Sequence, residues 1–203
     1  MSASLRAVAR GLIAAAVVAV TPAAAQDLER AKKIVSGRCF LCHGTEGESS
    51  TELYPRLAGQ HPSYLEKQLK DFRDGRRKGG GMEKMATDLN DGDIAALARY
   101  FGQFKAPPFA AEDRVLVSVG RSLYELGSPN SRIPACTSCH ASNGAGTDKL
   151  PRLAAQLPDY LARQLKYFSA RVRTNDNAVM HDIAVQLTDL QIRALAAYLG
   201  GLE

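Results

Sequence analysis

Cys39-Phe-Leu-Cys42-His43 and Cys136-Thr-Ser-Cys139-His140 decide the reading of this chain. On a helical turn, positions i, i+3 and i+4 share one side, so each stretch presents two thiols and an imidazole together. That is the arrangement covalent attachment of a c-type haem requires: two thiols reach two vinyl groups along one porphyrin edge, and the imidazole reaches the iron from one face. Other chemistries suit the pattern less well. A zinc ribbon needs its cysteine pairs far closer than the 97 residues that separate Cys39 from Cys136. A thioredoxin-type pair belongs in a βαβ setting, and no strand-like alternation surrounds either motif. Two plain disulfides would leave a histidine beside each pair unexplained.

Working outward, the motifs sit in a duplicated frame. Pro55-Arg-Leu-Ala-Gly-Gln60 matches Pro151-Arg-Leu-Ala-Ala-Gln156, and Pro62 to Phe72 matches Pro158 to Phe168. Leu89 to Tyr100 matches Leu187 to Tyr198, the offset moving only from 97 to 96 and then 98. Lys105-Ala-Pro-Pro108 and the residues after it read as a linker. The division is therefore a first domain over 26–105, a linker over 106–111 and a second domain over 112–203.

Both halves read as mostly helical. Leu28, Ala31 and Val35 recur at helical spacing before the first motif, and Val115, Val119, Leu123 and Leu126 before the second. Pro62 suits a first helical position, with Leu65, Leu69 and Phe72 on one face. Asn90 with Asp93 forms an approximate capping box ahead of the stripe Ile94, Leu97 and Phe101, and Thr188 is the corresponding cap in the second half.

The first 25 residues carry Arg6 and Arg10, an apolar run from Gly11 to Val20, and Ala23-Ala24-Ala25 at the cleavage positions. This predicts an exported protein whose leader is cut after Ala25, placing the mature chain in the periplasm. No later stretch is apolar for long enough to span a bilayer. The net charge of +5 falls to about +3 without Arg6 and Arg10, and the chain has no Trp, so nucleic acid is not an expected partner.

What an attached haem would do depends on its sixth ligand. Met82 lies seven residues before Leu89 and Met180 seven before Leu187, so the repeat makes these two equivalent. Met85 has no methionine counterpart and reads as a flexible filler of the core beneath the haem. His181 aligns with Glu83 and reads as a surface residue; His61 aligns with Leu157 and reads as a residue that caps or packs at a helix start. The expected iron ligands are thus His43 with Met82 and His140 with Met180. Two His/Met sites leave no open position and favour electron transfer over catalysis.

These residues resemble the cytochrome c4 family, di-haem members of the class I cytochromes c. The resemblance covers nearly all of the mature chain. It rests on the paired Cys-x-x-Cys-His motifs, the Pro-Arg-Leu-Ala segments, the Tyr-Leu-x-x-Gln-Leu helices and Arg173-Thr-Asn-Asp176 ahead of Met180. It implies an all-α fold of two tandem class I domains related by a pseudo-twofold, each wrapped around one covalent haem. It also implies that Cys39, Cys42, Cys136 and Cys139 carry two haem c groups. The carbonyls of Pro55 and Pro151 would hold the proximal imidazoles. The implied activity is that of an electron carrier, not an enzyme, shuttling between membrane-bound complexes and a terminal oxidase or reductase, with peripheral membrane association possible. A cytochrome subunit of a dehydrogenase complex, such as a flavocytochrome sulfide dehydrogenase, is the alternative; two matching methionines argue against a di-haem peroxidase.

Haem propionates would bring negative charge, and Arg56, Arg152, Arg73 and Arg173 are candidates to pair with them. Tyr64 with Gln68, and Tyr160 with Gln164, share helix faces and could line the crevice. Arg76, Arg77 and Lys78 read as a basic surface that steers an acidic redox partner. The segment from Phe72 to Met82 is two residues shorter than that from Phe168 to Met180, and it is richer in glycine and basic residues.

Overall fold

Pro62 and Pro158 each open a twelve-residue helix, α3 (Pro62–Arg73) and α8 (Pro158–Ser169). Proline suits that place because its missing N–H would have no intrahelical partner there. The helix that closes each half, α5 (Asp91–Gly102) and α10 (Asp189–Gly200), starts behind a complete capping box. Asn90 Oδ1 accepts from Asp93 N–H while Asp93 Oδ2 accepts from Asn90 N–H. Thr188 and Gln191 exchange the same pair of bonds. Each box satisfies amides that the helix cannot reach itself.

These elements belong to a computed structural model that describes residues 22–49, 51–109 and 113–203. The predicted leader, up to residue 21, and residues 110 and 111 of the predicted linker lie outside them. The remaining helices are α1 (Pro22–Ile34), α2 (Phe40–His43), α4 (Met82–Ala86), α6 (Arg114–Leu126), α7 (Thr137–His140) and α9 (Val179–Ala184). A 3₁₀ turn spans Pro129–Ser131. No strand occurs among the described residues, where Ser128 and Ile133 form one isolated antiparallel bridge. No helix there is long and apolar enough to cross a membrane. The fold is all-α, in two similar halves, as the sequence predicts.

Each domain has its own core. In the first, α1 and α3 pack on α5, burying Ala31, Val35, Leu65, Phe72, Ile94, Leu97 and Phe101. In the second, α6 and α8 pack on α10 around Leu123, Tyr124, Leu161, Leu195 and Leu199. One predicted face is corrected. Leu123 is buried, but Val115 and Leu126 are 75% and 72% exposed, and Val119 is also on the surface. The reason is Gly120, whose missing side chain lets α10 come so close that a Cβ there would meet the Ala194 carbonyl oxygen at 2.0 Å. Helix α6 therefore turns its Gly120, Leu123 and Tyr124 side inward and leaves the other apolar stripe outside.

The domains hold each other through a reciprocal exchange. Arg56 N–H donates to Gln156 Oε1 (2.9 Å), and Gln156 Nε2 donates to the Arg56 carbonyl (3.0 Å). Arg152 N–H donates to Gln60 Oε1 (2.8 Å), and Gln60 Nε2 donates to the Arg152 carbonyl (2.9 Å). Equivalent residues exchange equivalent bonds, which is the signature of a pseudo-twofold axis. It runs between the segments that follow the two motifs.

Candidate functional site

The two Cys-x-x-Cys-His motifs reach their places by different routes. In the first domain α1 continues through a π-helical turn, Val35–Cys39, directly into α2. In the second, α6 stops at Gly127, and a loop returns the chain to α7. The Tyr124 hydroxyl pins this loop's end by donating to the Ala141 carbonyl at 2.5 Å, and the Cys136 amide donates to the Tyr124 carbonyl at 2.9 Å. Both routes end with a buried imidazole, His43 or His140.

Each imidazole is fixed by a proline carbonyl. His43 Nδ1–H donates to the Pro55 oxygen at 2.9 Å, and His140 Nδ1–H to the Pro151 oxygen at 3.2 Å. Burial pushes both histidines below their ordinary pKa, more strongly than the carbonyls raise them. The rings are therefore neutral at pH 7, and with the proton held on Nδ1, Nε2 keeps its lone pair. That is the form in which imidazole binds a metal.

No disulfide joins the four cysteines. Burial pushes the Cys39 thiol up and the Cys136 thiol up to about 11. A catalytic dithiol needs the opposite, a stabilised thiolate, so the geometry speaks against a thioredoxin-type function. Among the described residues no cluster of three or more His, Cys, Asp and Glu side chains is arranged to hold a metal ion, which leaves the zinc reading without a ligand set.

Both motifs open onto one continuous cavity of about 1090 Å³. Its walls include Leu65, Leu97 and Phe101 from the first domain and Leu161, Leu165 and Leu199 from the second. Met82 and Met180 border it, on α4 and α9. Met85 borders it too, one helical turn on, but is 47% exposed, whereas Met82 packs against the first core. His181 turns elsewhere: its Nδ1–H donates to the Phe168 carbonyl at 2.9 Å. His61 donates from Nε2 to the Ala145 carbonyl across the domain boundary at 2.7 Å. A cavity with apolar walls, paired thiols on one edge and a neutral imidazole held by its outer nitrogen fits a haem in each half.

A sequence model of the cytochrome c family matches the chain twice, over residues 28–105 and 120–203. Cytochrome c4 of Thiocapsa roseopersicina is 42% identical over 181 residues, covering 87% of this chain and 93% of that one. The crystal structure of reduced recombinant cytochrome c4 from Pseudomonas stutzeri superposes with a TM-score of 0.81 at 36% identity, over 87% of this chain and 98% of that one. The chain belongs to the cytochrome c4 family. A thiosulfate dehydrogenase electron acceptor of Stutzerimonas stutzeri is also related, 36% identical over 79% of this chain and 76% of that one. As a cytochrome c4 with two cytochrome c domains, the protein is a covalent haem c protein of the electron-transfer type.

Of the four arginines read as candidates to pair with propionates, Arg56, Arg152 and Arg173 line the cavity and Arg73 does not. Arg56 donates to the Ala155 and Pro107 carbonyls, and Arg73 to Asp74, Asp91 and the Leu89 carbonyl. Both are thus engaged with the protein itself. The Arg152 backbone serves the domain exchange, while Arg152 lines the cavity. Arg173 alone of the four candidates is buried beside the cavity. Arg77, read as part of a basic docking surface, is buried with it. Arg76 stays exposed but is paired with Asp71 and Asp74, so that surface is weaker than its sequence suggests. The signal was present: Arg77 follows Phe72 by five residues, as Arg173 follows Phe168.

Proposed function

We propose that this cytochrome c4 is a periplasmic one-electron carrier, with one haem attached at Cys39 and Cys42 and a second at Cys136 and Cys139. His43 and Met82 would hold the iron in the domain 26–105, His140 and Met180 in the domain 112–203, and residues 1–25 would serve as the export leader. Haem iron supplies a one-electron couple. The protein's part is to fix the ligand set: the Pro55 and Pro151 carbonyls orient the imidazoles and raise their basicity, while apolar walls limit water. Methionine as the partner of histidine raises the reduction potential and closes the iron to exogenous ligands. The observation that carries the reading is the duplicated set of Nδ1–carbonyl bonds on buried imidazoles, with His43, His140, Met82 and Met180 all bordering the same cavity.

The electron partners that suit this reading are membrane-bound respiratory complexes and a terminal oxidase or reductase. The relation to a thiosulfate dehydrogenase electron acceptor favours one second reading, delivery of electrons from a periplasmic dehydrogenase. Mass spectrometry and a spectroelectrochemical titration of the purified protein test the proposal. Two added haems, two one-electron waves and a methionine–iron charge-transfer band are expected. A high-spin spectrum that binds carbon monoxide, or peroxide turnover, would overturn it.

A further inference from the structure

Asn175 sits on the loop that leads to Met180, and it is gripped from the opposite domain. Its Nδ2 donates to Asp71 Oδ2 at 2.6 Å and to Gln68 Oε1 at 3.0 Å, both on α3. Lys67 Nζ, on the same helix, donates to the Asn175 carbonyl at 2.9 Å. Within its own domain, Asn175 Oδ1 accepts from Arg173 Nε at 3.1 Å. The next residue carries the hold onward. Asp176 Oδ2 accepts from the Met180 amide at 2.7 Å and from the His181 amide at 3.3 Å, at the start of α9. A continuous chain of bonds thus runs from α3 to the backbone of Met180.

The grip is charged and sheltered. The Asp71 side chain is only 5% exposed, and it also accepts from Lys67 Nζ at 2.5 Å and Arg76 Nε at 2.8 Å. Hydrogen bonds to an ionised group are stronger than neutral ones, so the Asp71–Asn175 bond is a firm tie. The equivalent positions on α8 do other work. Tyr167 stands in Asp71's place, and Arg163, in Lys67's, donates to the Leu53 carbonyl. The first domain's own methionine loop runs through Gly79, Gly80 and Gly81, all at positive φ with open space around them. A thioether is a neutral, weak donor, so its hold on a metal depends on how firmly the chain presents it. Fixing the loop from Thr174 to Val179 in advance removes its conformational cost from ligation.

We propose that Lys67 and Asp71 of the first domain are positioning residues for the methionine of the second: they fix Asn175, and Asp176 passes that fixation to Met180. This rests on the assignment of Met180 as an iron ligand above. The two residues act through the loop and not on the thioether itself. Loss of the tie therefore frees Met180 to yield to a competing ligand. Met82, carried by a different loop in the domain that supplies the tie, is left as it was.

The test is an imidazole titration of the oxidised holoprotein, with the bound methionine followed separately at each haem by NMR. Met82→Ala and Met180→Ala assign the two signals. Asp71→Ala and Asn175→Ala should each raise imidazole affinity at the Met180 haem by roughly tenfold, the equilibrium factor of one charge-assisted hydrogen bond, and leave the Met82 haem unchanged. The double variant should be no looser than the looser single one, because both remove the same tie; effects that multiply overturn the proposal. No change at the Met180 haem, or an equal change at both haems, overturns it as well. If these variants fail to accumulate as holoprotein, Lys67→Met decides, since that side chain is 49% exposed. A severalfold rise at the Met180 haem alone supports the proposal, and no rise overturns it. Absence of the Met180 signal from the parent protein itself overturns the ligand assignment, and the proposal with it.

Discussion

From α3 to Arg77 and from α8 to Arg173 the two halves share nearly the same backbone bonding, and beyond those arginines they part. Arg77 N–H donates to the Asp71 carbonyl and Arg173 N–H to the Tyr167 carbonyl, equivalent bonds at an offset of 96. The first domain then reaches Met82 through Lys78-Gly79-Gly80-Gly81, the second reaches Met180 through the six residues from Thr174 to Val179. The two-residue difference therefore lies wholly between the arginine and the methionine. The longer loop is tied across the domain boundary, where Asn175 Nδ2 donates to Gln68 and Asp71. Asp176 holds the amides of Met180 and His181. On the shorter loop, the Glu83 carboxylate accepts from the exposed Gly79 amide. Duplication preserved the frame around the shared cavity and left the loop that carries each methionine free to diverge.

The most direct way to break the comparison is to remove the methionines in turn. Met82→Ala and Met180→Ala should each abolish the charge-transfer band at one haem and lower that haem's potential by on the order of 0.1 V, since axial ligands set potentials over a wide range. If Met82→Ala leaves the spectrum intact while Met85→Ala does not, the repeat-based choice of Met82 fails. Opposite results in the two halves would show that the loops differ in ligand as well as in length.

A second contrast concerns stability. Ala31 is buried where α1 packs on α5, but α6 approaches α10 at Gly120, with no room for a methyl group. Gly120→Ala should force the helices apart and cost on the order of 3 kcal/mol, the upper part of the usual overpacking range. Thermal denaturation of the holoprotein, followed at both haem environments, would show it. A loss below about 0.5 kcal/mol, the size of an ordinary surface change, would mean that α6 can shift freely.

Much of this was legible before any coordinates. The prolines at 62 and 158, the capping boxes and the motif pairs are local signals, and they gave the helices and the imidazoles their places. The proline–histidine bonds were legible only through resemblance, because nothing local in Pro55 or Pro151 announces a carbonyl acceptor 12 or 11 residues from its donor. The outward turn of Val115, Val119 and Leu126 was hidden because apolar spacing marks an apolar stripe but not which flank a small residue such as Gly120 brings into contact. Arg77 was misread because a run of basic residues looks solvated until the fold shows that one of them points inward.

The loops can also be told apart by acid. Asp71 occupies the place that Tyr167 takes in the second half, so only the first domain holds a carboxylate there. Burial would raise its pKa, but hydrogen bonds from Lys67, Asn175 and Arg76 outweigh that and hold it below the ordinary carboxylate value. A carboxyl depressed on folding adds stability that is complete above its unfolded pKa and disappears as pH falls through the folded value. Asp71→Asn should therefore destabilise the protein at pH 6 by about 1–2 kcal/mol, a charge-assisted bond's contribution, and by progressively less below pH 4. A constant difference between pH 6 and pH 3 would show that packing, and not charge, is what Asp71 contributes.

The finest difference lies in the residue before each methionine-bearing helix. Gly81 and Ala178 both adopt the left-handed conformation there, with φ of 79° and 67°. Glycine takes this shape without strain, whereas alanine bears a penalty of roughly 1 kcal/mol. The halves should therefore respond with opposite signs to exchanging the two residues. Gly81→Ala has open space for its methyl group and should lose about 1 kcal/mol through backbone strain alone. Ala178→Gly relieves that strain but frees the unfolded chain, so its gain should be smaller, roughly 0.5 kcal/mol. Urea titrations of the two variants would resolve the signs. If both substitutions destabilise, the second loop draws enough from the Ala178 methyl group to outweigh its strain, and the more tightly bonded loop is also the better packed one.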